Sequence, residues 1–227
     1  MNTVKMKAAR TGKKAKRAAY HHGDLRQQLL AVAEKIILEN GVDGFTLREA
    51  ARRAGVSPAA PAHHFKDARG LLTAVAILGF REFGEALAKA DAAGGTDPVR
   101  RLHEQASAYV RFALEHPARF QLMFRAEKLD TANEDLTAVS KQSYDVLEGA
   151  IRAVTGTPAG TPLSEGGYGY LLANWSIVHG FAHLALGGKL RDAHGNAAGI
   201  EAILQTLLPL MLQHSPATPA ARVSLVP

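Results

Sequence analysis

The chain contains no cysteine, which excludes a disulfide framework, a thiolate metal site and a cysteine nucleophile. Aromatic residues are scarce at 6%, so the places where they gather carry information. No apolar run approaches the roughly 20 residues that span a bilayer. Leu71–Phe80 is the longest, and Leu171–Leu186 is broken by Asn174, His179 and His183. The N-terminus lacks the apolar segment of a secretory signal, and its basic run lacks the amphipathic period of a transit peptide. Catalytic sets are missing too: no nucleophile–base pair and no glycine-rich cofactor loop can be assembled. Gly166-Gly167-Tyr168-Gly169 has neither a preceding strand nor a following Lys-Ser/Thr. The expectation is a cytoplasmic protein without enzyme activity, cofactor or membrane partner.

What is present is unevenly charged. The net charge is +6 over 227 residues. Up to Phe83 there are 15 Lys/Arg against 7 Asp/Glu, or +8; the remainder has 12 against 14, or −2. A basic module joined to a near-neutral one is the footprint of a nucleic-acid-binding domain with a separate partner domain. Residues 1–22 hold Lys5, Lys7, Arg10, Lys13, Lys14, Lys16 and Arg17 with no acid. Such a run is too polar to pack, so residues 1–19 are expected to form a disordered arm that meets phosphate.

Thr46 to Phe65 is the most informative segment. Thr46 caps a first helix, and Leu47, Ala50, Ala51 and Ala54 form a narrow stripe of small apolar residues. Gly55 suits a left-handed exit, Val56 plugs the corner, and Ser57-Pro58 reads as an N-cap followed by proline at the first helical position. Two short helices joined by a tight turn suit a DNA major groove. Upstream, Leu25, Leu29, Ala33, Ile36 and Ile37 repeat at helical spacing until Asn40-Gly41. An αα corner within a helical core would share much of this pattern, but a three-helix unit behind a basic arm positions a reader helix on DNA.

These residues resemble the TetR/AcrR family of bacterial transcription regulators over about residues 20–80. The resemblance lies in Gly23-Asp24-Leu25-Arg26, Gly44-Phe45-Thr46-Leu47-Arg48, Ala54-Gly55-Val56-Ser57, His64-Phe65 and Leu71-Leu72. Trp175-Ser-Ile-Val-His179-Gly180 is similar to the Trp…His-Gly signature of one C-terminal subclass. The resemblance implies a homodimeric repressor whose C-terminal domain binds a small molecule. The family commonly has tyrosine where this chain has Ala62, and lysine where it has Ala68, both as phosphate anchors. Lys66, Arg69 and the arm, with Lys13, Lys14, Lys16 and Arg17, are the cations available to compensate.

The expected DNA face therefore comprises Thr46 and Arg48, the reader residues Ser57, Pro58, Ala59, Ala60 and Ala62, and His63-His64. Arg48 alone offers a guanine-compatible fork. The reader helix offers only small groups that meet thymine methyls, so specificity leans on Arg48, methyl contacts and DNA shape.

The pattern predicts an all-α fold of about nine helices and no strand. Helices are expected near Asp24–Glu39, Leu47–Ala54 and Pro58–Phe65, then from Asp67 past Phe83, Pro98 to Glu115, from Pro117, Leu136–Val154, Ser164–Leu186 and Ala198–Gln213. Asp130–Asp135 reads as loop. The domains are a helix-turn-helix unit at 20–66, a helical ligand-binding and dimerisation domain at 67–215, and a flexible tail at 216–227. Tyr109, Phe112, Phe120, Met123, Phe124, Tyr144, Trp175 and His179 are candidates to line an apolar pocket; ordinary core is the competing reading. His179 and His183 have a chelating spacing but no third ligand, so no metal site is expected.

Apolar residues on more than one side of the last two helices predict a homodimer on a near-palindromic operator in double-stranded DNA. The effector would be a small apolar or aromatic molecule. A helical enzyme or carrier using the same pocket, and an architectural DNA binder using the arm, are the alternatives.

Overall fold

A computed structural model of the chain describes residues 25–190, 199–200 and 204–205. The basic arm, the tail and most of the last expected helix lie outside the described residues. Residues 25–190 form eight α-helices, residues 200 and 204–205 are helical as well, and the described residues contain no strand. The eight are α1 (25–40), α2 (Leu47–Arg53), α3 (Ala60–Phe65), α4 (Ala68–Ala93), α5 (Pro98–Glu115), α6 (Pro117–Met123), α7 (Glu134–Thr155) and α8 (Glu165–Leu186).

Local chemistry sets most boundaries. Side-chain oxygens of Thr46, Asp67, Asp97, Asn133 and Ser164 accept backbone N–H groups at the starts of α2, α4, α5, α7 and α8. The cap at Asn133 starts α7 two residues before the expected Leu136 and shortens the expected Asp130–Asp135 loop. A 3₁₀ turn at Ala126–Lys128, not foreseen from the sequence, precedes it.

The reader helix corrects the reading of Ser57 as an N-cap. Helix α3 begins at Ala60, its N-cap is Ala59, and no side chain caps it. Pro61 has no N–H to give to the Ser57 carbonyl, so the first turn is closed by Ala60 N–H to Ser57 O (3.0 Å) and Ala62 N–H to Ala59 O (3.2 Å). Ser57, Pro58 and Ala59 form an exposed turn leading into the helix.

The helix exit is unusual as well. Lys66 has φ 69° and ψ −57°, and Asp67 N–H donates to the Phe65 carbonyl at 2.8 Å. This is a γ-turn of the strained hand, rare in proteins and costing of order 1–3 kcal/mol. It reverses the chain in one residue between α3 and the 26-residue α4. Only glycine fits at position 70, because a Cβ there would overlap the Phe65 carbonyl oxygen.

The apolar core continues past residue 66. One cluster joins Leu29, Ile36 and Ile37 of α1, Ala50 of α2 and Phe65 of α3 to Leu71 and Val75 of α4, and then to Leu122, Leu129 and Leu136. A second cluster joins the far half of α4 to α5, α6 and α8. Helix α4 thus belongs to both.

Candidate DNA interface and effector cavity

Helices α2 and α3 are locked to α1 from three directions. Gln28 donates to the Ala54 carbonyl at the end of α2 (3.3 Å). Arg53 reaches Glu39 on α1 (2.5 Å) and Glu49 within α2 (2.7 Å). The Arg26 guanidinium lies 5.2 Å from the Phe65 ring centroid, holding the end of α3 through a cation–π contact. Hydrogen bonds from Arg52 and Arg53 pull the Glu49 carboxyl down to about 2. Glu49 therefore stays charged and neutralises cations inside the module.

Of the expected reader residues, Thr46, Arg48, Ser57, Pro58, Ala59, Ala62 and His63 are exposed, and Ala60 and His64 are half-buried. Among the described residues the Arg48 guanidinium has no acidic partner. Lys66 is exposed at the end of α3. Arg69 is otherwise engaged: it donates to the carbonyls of Leu129 (2.9 Å) and Glu127 (3.4 Å). That corrects its assignment as a replacement phosphate anchor, since it ties α4 to the turn before α7. The arm cations lie outside the described residues.

An apolar cavity of about 200 Å³ opens between α4, α5, α7 and α8. Four expected residues line it: Tyr109, Phe124, Tyr144 and Trp175. Phe80, Phe83 and Leu87 of α4 and Ser140, Ser143 and Leu147 of α7 complete the wall and are not singled out by the sequence. Their i, i+3, i+7 spacing is visible there, but α4 is apolar on too many sides for spacing alone to orient it.

Three expectations are corrected here. Phe120 is fully buried behind the wall. Met123 packs against Gly79, where α6 approaches α4 so closely that a Cβ would lie 2.7 Å from its sulfur. Phe112 stacks on Phe83 and His116, at 5.1 and 4.9 Å between centroids, toward another groove.

His179 stands behind Tyr109, its Nδ1 2.7 Å from the phenol oxygen. Burial, then the neighbouring His183, lowers its affinity for a proton below the usual 6.5. The neutral ring shares a hydrogen bond with the phenol, and burial pushes the Tyr109 hydroxyl well above its usual value. Stability follows from this. Above about pH 6.5 the ring is neutral folded or unfolded; below it the unfolded chain takes up the proton first, so stability falls with acidification. Burial lowers His103 too, in the same window. The melting temperature is expected to decline from about pH 7 to about pH 5.5, and less steeply in His179→Gln, which retains an acceptor for Tyr109. Equal slopes would mean that His179 is protonated within the fold.

Ion pairs join α6 and the turn after it to the DNA-binding helices. Arg119 on α6, adjacent to Phe120, pairs with Glu34 of α1 (2.9 Å) and with Glu82 of α4. Asp43, between α1 and α2, pairs with Arg125 (3.1 Å) and Lys128 (2.5 Å). No helix among the described residues is long and apolar enough to cross a membrane.

A three-helix DNA-binding module continuous with a helical bundle that encloses a cavity defines the class: an all-α bacterial transcription regulator. Residues 29–75 match the model described as bacterial regulatory proteins, tetR family, and residues 102–208 match the tetracyclin repressor-like C-terminal domain. The chain belongs to the TetR family of transcription regulators.

A 77-residue stretch is 38% identical to the HTH-type transcriptional regulator BetI of Stenotrophomonas maltophilia, covering 34% of this chain and 39% of that protein. A protein of unknown function from Rhodococcus sp. RHA1 shares 33% identity and superposes with a TM-score of 0.67, over 85% of this chain and 96% of the other. The TetR family regulator PfmR of Thermus thermophilus superposes with a TM-score of 0.62 at 20% identity, over 83% and 95%, a likeness of fold.

Proposed function

We propose that the protein is a homodimeric repressor that leaves its operator when a small, largely apolar molecule enters the cavity. The observation that carries this is the sharing of α4. Its first turn follows the reader helix through the one-residue turn at Lys66, and Phe80, Phe83 and Leu87 further along it wall the cavity. A ligand that favours one placement of α4 biases the reader helices, and differential affinity is all that induction requires.

The dimer reading rests on α8. Leu171, Val178, Phe181 and Ala182 are buried, while Tyr168, Leu172 and Leu184 stand exposed beside Gly169, Ala173, Ser176 and Gly180. A helix apolar on both sides needs a second partner, and its symmetry mate supplies one. Two-fold pairing spaces the reader helices about 34 Å apart, or a multiple of it, on a near-palindromic site in cytoplasmic DNA. A monomer in sedimentation at micromolar concentration contradicts it.

On the duplex, Thr46, Arg48, the turn and helix from Ser57 to His64, and Lys66 form the contact surface. The arm, including Lys13, Lys14, Lys16 and Arg17, supplies further phosphate contacts. Arg48→Ala is expected to weaken binding to a selected operator by about 1–3 kcal/mol. The measurement is a fluorescence anisotropy titration against selected and random duplexes, and unchanged affinity sinks the assignment. Removing residues 1–19 in the same assay should flatten the salt dependence by about two units of slope or more.

A further inference from the structure

We propose that the cavity selects an uncharged molecule of about one aromatic ring with a short substituent, and rejects its carboxylate and its fused-ring analogue. The inference rests on the effector reading above and sharpens it to a chemical class.

Size sets the first limit. At about 200 Å³ the cavity exceeds the roughly 150 Å³ apolar cavity that takes up benzene. It falls short of the roughly 300–1,000 Å³ of pockets for drug-sized ligands. The wall is also stiff. Phe83 is buried edge-on to Tyr109 (5.0 Å, 86°), and Ser143 of α7 sits where a Cβ on Gly84 of α4 would come within 3.0 Å of its hydroxyl. Neither helix has room to step back without losing packing.

Charge sets the second limit. No Lys, Arg, Asp or Glu lines the cavity. The Ser143 hydroxyl is spent on the Phe80 and Val139 carbonyls (3.0 and 3.1 Å), and that of Ser140 on the Thr137 carbonyl (3.1 Å). The Tyr109 hydroxyl is engaged with His179 Nδ1. An ionised ligand would lose its water and find no counter-charge in return. The Tyr109 hydroxyl is also hydrogen-bonded by Trp175, so the cavity suits a ligand with little polar surface. Around it the edges and faces of Phe80, Phe124, Tyr144 and Trp175 suit a flat ring.

Trp175 is the only tryptophan of the chain and lines the cavity, so its emission reports occupancy directly. The full-length protein is titrated with benzyl alcohol, benzoate and 2-naphthalenemethanol, by Trp175 emission and by calorimetry. The expected result is benzyl alcohol binding about tenfold or more tightly than benzoate. The naphthyl alcohol should bind weakly to the natural chain and gain affinity in Phe80→Ala, which enlarges the cavity. Leu147→Trp, which fills it, should abolish benzyl alcohol binding; Ser140→Phe is the second filling variant if the first does not fold. Benzoate binding as tightly as the alcohol overturns the proposal, as does a naphthyl alcohol preferred by the natural chain, or no binding of benzyl alcohol at millimolar concentration. Operator release is read in parallel. Benzyl alcohol that binds without releasing DNA leaves the cavity's selectivity standing and removes the effector role; release by benzoate does the reverse.

Discussion

Gly70→Ala is expected to cost about 3 kcal/mol or more, the largest effect of any single methyl group at the helix junction. The new Cβ would overlap the Phe65 carbonyl oxygen and lie 3.1 Å from its carbon. Neither side can yield cheaply. That carbonyl already accepts Asp67 N–H at 2.8 Å, and the Asp67 side chain accepts Gly70 N–H at 2.8 Å, so the cap of α4 is built on the same atoms. Relief requires the end of α3 to move away from α4, which breaks the cap and shifts the reader helix. At about 2–4 °C per kcal/mol for a chain of this size, the melting temperature should drop by roughly 6–12 °C, with operator affinity falling alongside. A change within about 2 °C would show that the junction is softer than its geometry.

Phe120→Ala should rank beside it, at about 3–5 kcal/mol. The ring is fully buried, and its centroid lies 5.6 Å from that of Tyr109, 5.3 Å from Phe124, 5.6 Å from His179 and 5.4 Å from His183. Removing it takes the backing from two cavity walls and from the Tyr109–His179 pair together. Phe120→Leu retains most of the volume and should cost about 1.5 kcal/mol or less. Chemical denaturation of both variants gives the ranking. A loss below about 1 kcal/mol in the alanine variant would place the ring outside the true core.

The fold is legible in the sequence wherever a boundary depends on a side chain reaching its own backbone. Thr46, Asp67, Asp97-Pro98 and Ser164 announce their helices because a capping oxygen and a proline act within three residues. The start of α3 is not, because Pro61 removes a hydrogen bond whose loss matters only in competition with a 3₁₀ turn. Four of the ten wall residues are legible, as rings on α5, α7 and α8 and at the end of α6. The α4 contribution is hidden, because a helix buried on most sides has no polar face to fix its orientation. Arg69 shows the other limit. Nothing near it in the chain marks Leu129, 60 residues away, as the carbonyl it holds.

Position 66 has a consequence for comparison with other family members. Proline fixes φ near −65°, whereas this chain turns at Lys66 with φ 69°. A relative with proline at that place cannot make the same turn and must join its reader helix to α4 along another path. The angle between those two helices is then not transferable between such relatives, however well their bundles superpose. Under the proposed two-fold pairing, half-site spacing read from one does not carry over to the other.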